Sequence, residues 1–206
     1  TCTMDVAIRA ANISIACNYL MTSKKNSSQI IDIYRKLYLH GIFIYENLEN
    51  TYEVTSNHYL SNLVGLLYVA NTFKTKSFGK KWLNFCVNEL ESEIEKQIEK
   101  DGSDYESSIP YHKLVLELFL SAYRLSLISN FNFTKNFEKK LKKMVLFLNN
   151  VCNHSSEIPQ VGDNDDGRFF IFDHDAKRNN LNCNYLFSLA DKVLNLKDLV
   201  YENNEW

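Results

Sequence analysis

Residues 107–125 read SSIPYHKLVLELFLSAYRL, and the fold class turns on them. Ser107 or Ser108 followed by Pro110 suits a helix start: the hydroxyl can accept an orphan backbone N–H, and proline lacks the N–H that the first turn cannot satisfy. Tyr111, Val115, Leu118, Ala122 and Leu125 then recur at steps of four and three, which places them along one side of an α-helix.

The same period extends outward in both directions. Upstream, Trp82, Cys86, Leu90, Ile94 and Ile98 form a stripe that stops at Asp101-Gly102, a helix-ending signal. Glu89, Glu91, Glu93 and Glu95 surround it and read as a solvated face. A segment opening near Ser56, placed to cap it, would bury Leu60, Leu63, Val64, Leu67 and Tyr68. Before it come Ile30, Tyr34, Leu37, Gly41, Ile44 and Leu48, and first of all Met4, Ile8, Ala11 and Ile15. Downstream, Thr134 opens a helix carrying Phe137, Leu141, Met144, Leu148 and Val151. Periodicity fails from Asn153 to about Asn180, and a short helix covers roughly Tyr185 to Asp198.

Six or seven helices with short connections make an all-α chain of antiparallel hairpins, one helical domain over residues 1–206. Composition agrees. Only 6 Gly and 2 Pro occur in 206 residues, about 4% against an average near 12%, too few turn residues for a sandwich, barrel or propeller. The longest uncharged apolar run, Leu60 to Phe73, contains Ser61, Asn62 and Asn71 and falls short of the roughly 18–20 apolar residues of a membrane span.

A net charge of −2 provides no global field for a nucleic-acid backbone, so an anionic partner must be recognised locally. The five widely spaced cysteines carry no zinc motif or disulfide framework and read as core thiols. HExxH, GxSxG, CxxC and Gly-rich phosphate loops are all missing, which removes zinc-protease, serine-hydrolase and nucleotide readings, and no cofactor is expected. Thr1 opens directly into a helical pattern with no initiator Met, so a fragment with residues upstream is expected.

Three places interrupt the core pattern. Asn57-His58-Tyr59 stands at a helix start, where unsatisfied N–H groups and the positive dipole end favour an anion; alternatively Asn57 only caps the helix and His58 is a surface residue. The run Asp101 to His112 places Tyr111 in a first turn that favours its phenolate; alternatively Tyr111 is a core tyrosine. Gly162-Asp163-Asn164-Asp165-Asp166-Gly167-Arg168 suggests calcium, but Arg168 stands where an EF-hand loop needs Gly and His174 where it needs Glu. A turn with internal Asp–Arg pairing is the plainer reading. Asp5, Arg9 and Asn12, at i, i+4 and i+7, form a polar stripe that either faces solvent or lines a cleft.

In this order, Met4–Asn12, Asn57–Leu63, Asp101–His112 and Gly162–Arg168 resemble segments of the heparinase II/III family of polysaccharide lyases, and the likeness covers roughly residues 3–170. The resemblance implies an incomplete (α/α) toroid, followed in full-length members by a β-sandwich that acts as intramolecular partner and supplies a further histidine. No segment here resembles that part. It also implies export to the periplasm or beyond, and β-elimination on an anionic polysaccharide containing uronic acid: heparin- or heparan-like, alginate-like or an exopolysaccharide.

Under that resemblance Asn57 would hold the substrate carboxylate, and His58 would assist in neutralising it or moving the proton. Tyr111 would serve as base or acid at C5 and the leaving oxygen. Arg9, Asn12, Glu106, His112 and Arg168 would contact substrate or brace the cleft. Two other classes compete: a glycoside hydrolase, pairing Glu106 with Asp104 or Asp165, and a non-catalytic polysaccharide-binding or capsule-assembly protein.

Overall fold

Hydroxyl side chains set the helix starts. Ser56 Oγ accepts the His58 N–H, Ser108 Oγ the Tyr111 N–H and Thr134 Oγ1 the Phe137 N–H, at 3.2–3.3 Å. Each relieves one of the four N–H groups that a helix leaves unpaired at its start. Of the two serines before Pro110, Ser108 is the cap, with extended backbone, while Ser107 takes a left-handed turn at φ 58°.

The computed structural model describes residues 2–21, 27–50, 55–164, 167–170, 180–196 and 199. Seven helices are found among them: α1 (Thr3–Met21), α2 (Ser27–Glu46), α3 (Asn57–Thr72), α4 (Ser77–Gln97), α5 (Ile109–Ile128), α6 (Lys135–Val151) and α7 (Asn184–Leu194). Only two isolated bridges, Ile98 with Asp104 and Glu157 with Asn182, pair extended backbone among the described residues. The all-α expectation therefore holds. No helix among these residues is long and apolar enough to cross a membrane. The chain divides into two compact units, Thr1–Leu90 and Glu91–Trp206, and α4 contributes to each.

In the first unit, α3 is buried on nearly every side, with Leu60, Leu63, Leu66 and Leu67 all at 0% exposure. Each such leucine contributes about 1.5–3 kcal/mol. Helix α1 lies against α3, but not through the expected stripe. Met4, Ile8 and Ile15 stay partly exposed, and the buried face is Val6, Ala7, Ala10, Ala11 and Ser14. The reason is distance: a Cβ on Gly65 would come within 2.5 Å of the Ala7 carbonyl oxygen, so only small side chains fit between the helices. In α2, Leu37, Gly41 and Ile44 are buried as expected, and Tyr38 and Tyr45 meet Trp82 of α4 with ring centroids 6.1 Å apart.

In the second unit α5 supplies the centre, with Phe119 packed edge-on to Phe137 of α6. Helix α7 is shorter than expected because Asn195 adopts a left-handed C-cap at φ 53°, which ends the helix before Asp198, itself outside the described residues. The acidic run is also corrected, since none of its four carboxylates is merely solvated. Within the first unit, Glu89 accepts the Tyr59 hydroxyl at 2.7 Å. Within the second, Glu91 accepts the Thr134 N–H (2.6 Å) and hydroxyl (2.8 Å), and Glu95 pairs with Lys140 at 3.0 Å. Glu93 is fully buried, held by Gln97 Nε2 at 2.7 Å and Lys96 Nζ at 2.9 Å. Lys140 Nζ also donates to the Ile94, Glu95 and Ile98 carbonyls, capping the end of α4. Of the five thiols, Cys17, Cys86 and Cys183 are buried as expected, whereas Cys2 and Cys152 are partly exposed.

Because Gly65 is the point of closest approach between α1 and α3, Gly65→Ala is expected to lower the unfolding free energy by about 1–3 kcal/mol. Urea unfolding measures this directly, and an unchanged midpoint would mean that the two helices have room for a methyl group.

Candidate functional site

In the first unit, two of the four motif segments meet through a residue that belongs to neither. Glu49, in the loop after α2, accepts the Met4 N–H and the Asn62 amide N–H on Oε2, each at 2.9 Å. Its own N–H donates to Asn62 Oδ1 at 2.8 Å. Its other oxygen, Oε1, faces His58 Nδ1 at 3.3 Å and Cys2 Sγ at 3.4 Å. Burial tends to raise the Glu49 carboxyl, but hydrogen bonds from Asn62, His58 and Cys2 outweigh it and hold the carboxyl below the usual range. No spacing rule reaches from residue 49 to residues 4 and 58, so Glu49 carries no local pattern that would single it out.

Asn57 is the first residue of α3 and only 6% exposed; Ser56, rather than Asn57, is the cap. His58 projects outward from the same turn. Nδ1 is engaged by Glu49, and about half of the side chain is exposed. Arg9 is exposed on α1 and its Nε lies 3.1 Å from His40 Nε2. The Asn12 amide donates back to the Ile8 carbonyl at 2.8 Å, so the Asp5–Arg9–Asn12 stripe runs along the outer side of α1.

The other two motif segments meet within the second unit. Asp101 Oδ1 accepts the Ser103 N–H at 3.0 Å and hydroxyl at 2.7 Å, closing a turn at the end of α4. Two backbone bonds, Glu99 N–H to Ser103 and Tyr105 N–H to Gln97, extend it. The chain then enters α5, where Ser108 Oγ also donates to the Asp163 carbonyl and the Ile109 N–H donates to Val161 at 3.0 Å. Gly162 is required there: its φ is +85°, and a Cβ would lie 2.7 Å from Ser108 Cα. Further on, the Glu117 carboxylate, 4% exposed, accepts the Phe169 and Phe170 N–H groups at 3.2 and 3.4 Å. Sequence reasoning missed Glu117 too, because it sits within an apolar helix run.

Tyr111 lies in the first turn of α5 and is partly exposed, so the core-tyrosine alternative does not describe it. The adjacent His112 does lie in the core. It is 1% exposed, with Nε2 at 3.2 Å from the Met144 carbonyl and its ring against Phe147, and burial pushes it down to about 4. A helix that presents Tyr111 outward turns the next side chain inward, so the expectation that His112 contacts substrate is corrected. Glu106 is partly exposed. Asp104, by contrast, has both carboxylate oxygens buried. It cannot present a carboxyl to an external glycosidic bond, and the hydrolase pairing loses that member; Asp165, the other nominee, lies outside the described residues, as do Asp166 and His174. Arg168 lines a small crevice with Pro110, Lys113, Asn164 and Asn180.

The described residues form an all-α chain of seven helices, and solved structures share this fold. A crystal structure of heparinase III matches with a TM-score of 0.64 at 18% identity, covering 78% of this chain and 25% of that one. A second heparinase III gene product matches with a TM-score of 0.64 at 18% identity, covering 76% and 24%. Residues 2–182 match the family described as heparinase II/III N-terminus, and the chain belongs to that family. A heparin-sulfate lyase of Pedobacter heparinus is 25% identical over 118 residues, covering 56% of this chain. The chain spans 18% of that relative's length and about a quarter of the matched structures.

Burial, and secondarily the negative charge of Glu106, raise the Asp104 carboxyl to about 7. The folded state therefore keeps its proton between about pH 4 and 7 while the unfolded chain releases it, so stability falls as pH rises through that window and is flat on either side. A shift of about three pH units corresponds to roughly 4 kcal/mol. Asp104→Asn is expected to gain stability over the parent progressively from pH 4 to pH 8, measured by denaturant unfolding. A gap independent of pH would show that Asp104 ionises normally.

Proposed function

We propose that the protein to which this chain belongs is a polysaccharide lyase that breaks a uronic-acid-containing polymer by β-elimination. The observation that carries this reading is the surface placement of His58 and Tyr111 on the first turns of α3 and α5, within family motif segments, with Asn57 at the very start of α3.

The division of labour follows from the chemistry. The proton on C5 of a uronic acid becomes removable only when the charge building on the neighbouring carboxylate is met by fixed donors, so donors matter more than a strong base. Asn57, at the α3 start, holds the carboxylate. His58, oriented through Nδ1 by Glu49, offers Nε2 to neutralise that charge or relay the proton. Tyr111 takes the C5 proton as phenolate or returns one to the leaving oxygen as phenol. Arg9, Asn12, Glu106 and Arg168 bind the polymer's anionic and hydroxyl groups or brace the residues that do. The polymer is heparin- or heparan-like in the first instance, because the similar lyase from Pedobacter heparinus is named for heparin sulfate.

The tests use the protein extended by the β-sandwich that the family resemblance implies, supplied with a panel of uronate polymers. Elimination leaves an unsaturated uronate that absorbs in the ultraviolet, whereas hydrolysis does not. Tyr111→Phe is expected to lose turnover by about 10²–10⁴-fold while still binding polymer. Asn57→Ala should lose about 10²–10³-fold. If Tyr111→Phe forms unsaturated product at a near-normal rate, Tyr111 carries no proton in the reaction. The 206-residue chain alone is expected to show no measurable turnover, because members of a catalytic constellation act as a unit; binding of polymer without elimination by the extended protein would favour a binding or assembly role instead.

A further inference from the structure

Three donor atoms of different chemistry meet where the segment before α1, the loop after α2 and the start of α3 come together. Cys2 Sγ stands 3.4 Å from Glu49 Oε1, His58 Nδ1 stands 3.3 Å from the same oxygen, and Sγ and Nδ1 are 4.0 Å apart. All the donor atoms lie within 4.8 Å of one another. We propose that Cys2, Glu49 and His58 form a three-ligand site for a zinc-class divalent cation, with its fourth position open to solvent.

The distances carry the argument. A tetrahedral zinc with bonds of about 2.3 Å to sulfur, 2.05 Å to nitrogen and 2.1 Å to oxygen has ligand–ligand edges of about 3.6 Å (S–O), 3.4 Å (N–O) and 3.6 Å (S–N). Two of the observed edges agree within about 0.2 Å, and a small side-chain rotation of Cys2 or His58 closes the third. The donor set suits zinc and its neighbours, since thiolate and imidazole discriminate against magnesium and calcium.

The carboxylate is also oriented in advance. Oε2 is held by the Met4 N–H and the Asn62 amide, which leaves Oε1 directed at the other two donors. Such outer contacts fix ligand geometry in metal sites. His58, with half of its side chain exposed, gives the ion an entry path and leaves room for a water ligand. On binding, the Cys2 thiol loses its proton to solvent and the imidazole proton moves from Nδ1 to Nε2, so one proton is released per ion and the ion replaces both hydrogen bonds to Oε1. The site does not depend on the lyase reading: a chain without lyase activity binds the ion just the same.

Cobalt(II) is the probe, because it takes zinc's geometry and is coloured. Titrating the 206-residue chain with cobalt(II) is expected to give intense tetrahedral d–d bands and a thiolate-to-cobalt charge-transfer band at one equivalent, both erased by zinc. Cys2→Ser should abolish the charge-transfer band, and Glu49→Gln or His58→Ala should weaken binding at least about tenfold. Cys152→Ser, at the other partly exposed thiol, should leave the spectrum unchanged. Circular dichroism of each variant separates lost ligation from lost folding. Absence of the bands in the parent overturns the proposal, as does a charge-transfer band that survives in folded Cys2→Ser.

Discussion

A backbone N–H that regular structure leaves unpaired needs another acceptor, and among the described residues three glutamates supply one across long stretches of sequence. Glu49 takes the Met4 N–H, Glu91 the Thr134 N–H and Glu117 the N–H groups of Phe169 and Phe170, over separations of 43 to 53 residues. Leaving one buried donor unpaired costs about 1–3 kcal/mol, a sizeable part of a domain's stability. These contacts therefore do more than decorate the helices. Glu49 ties the start of α1 to α3, Glu91 ties α4 to the start of α6, and Glu117 fixes the segment that follows Gly162 against α5. Glu49 joins one pair of motif segments, and the other pair meets through Ser108 and Ile109.

The same constraint explains why much of the acidic content is unavailable for chemistry. With 25 acidic residues and a net charge of −2, the chain has no excess positive field with which to draw in an anion. It does have helix starts, where N–H groups and the dipole create local positive potential. Asn57, His58 and Tyr111 all sit on such starts, and the hydroxyl caps Ser56 and Ser108 fix the turns that carry them. Local recognition of an anionic sugar is compatible with near-neutral overall charge in a way that broad electrostatic attraction is not.

The features legible in the sequence share a physical trait: each is decided within a few residues. Ser56, Ser108 and Thr134 cap the helices assigned to them, because a cap is a contact between positions two or three apart. The large aliphatic stripes of α3, α5 and α6 are buried as their spacing requires. Long-range contacts were hidden. The inward face of α1 is Ala7, Ala10, Ala11 and Ser14 rather than its larger residues, since the partner backbone at Gly65 comes too close for anything bigger. Glu93 looked like its exposed neighbours until burial by packing distinguished it. His112, which the resemblance would set against substrate, is buried beside a partly exposed Tyr111 because successive helical residues point about 100° apart.

The proposed elimination makes different chemical demands on residues of the two units. The first unit supplies an amide and an imidazole at the start of α3, suited to hold and neutralise a carboxylate; the second supplies a phenol at the start of α5, suited to move a proton. In the proposed elimination these demands are unequal in tolerance. A carboxylate can be met by several donors over a range of angles, so the α3 group is forgiving. Proton transfer requires the phenolic oxygen within hydrogen-bond reach of one carbon, and a misplacement near 1 Å can cost about a hundredfold in rate. The phenol is carried on a turn whose backbone is fixed at several points. Tyr111 follows a proline in the helix's first turn, capped by Ser108, whose hydroxyl is in turn bound to Asp163 and whose backbone is closed over by Gly162. His58 is held at its backbone N–H by the Ser56 cap and at Nδ1 by Glu49, with Cys2 Sγ beside the same nitrogen.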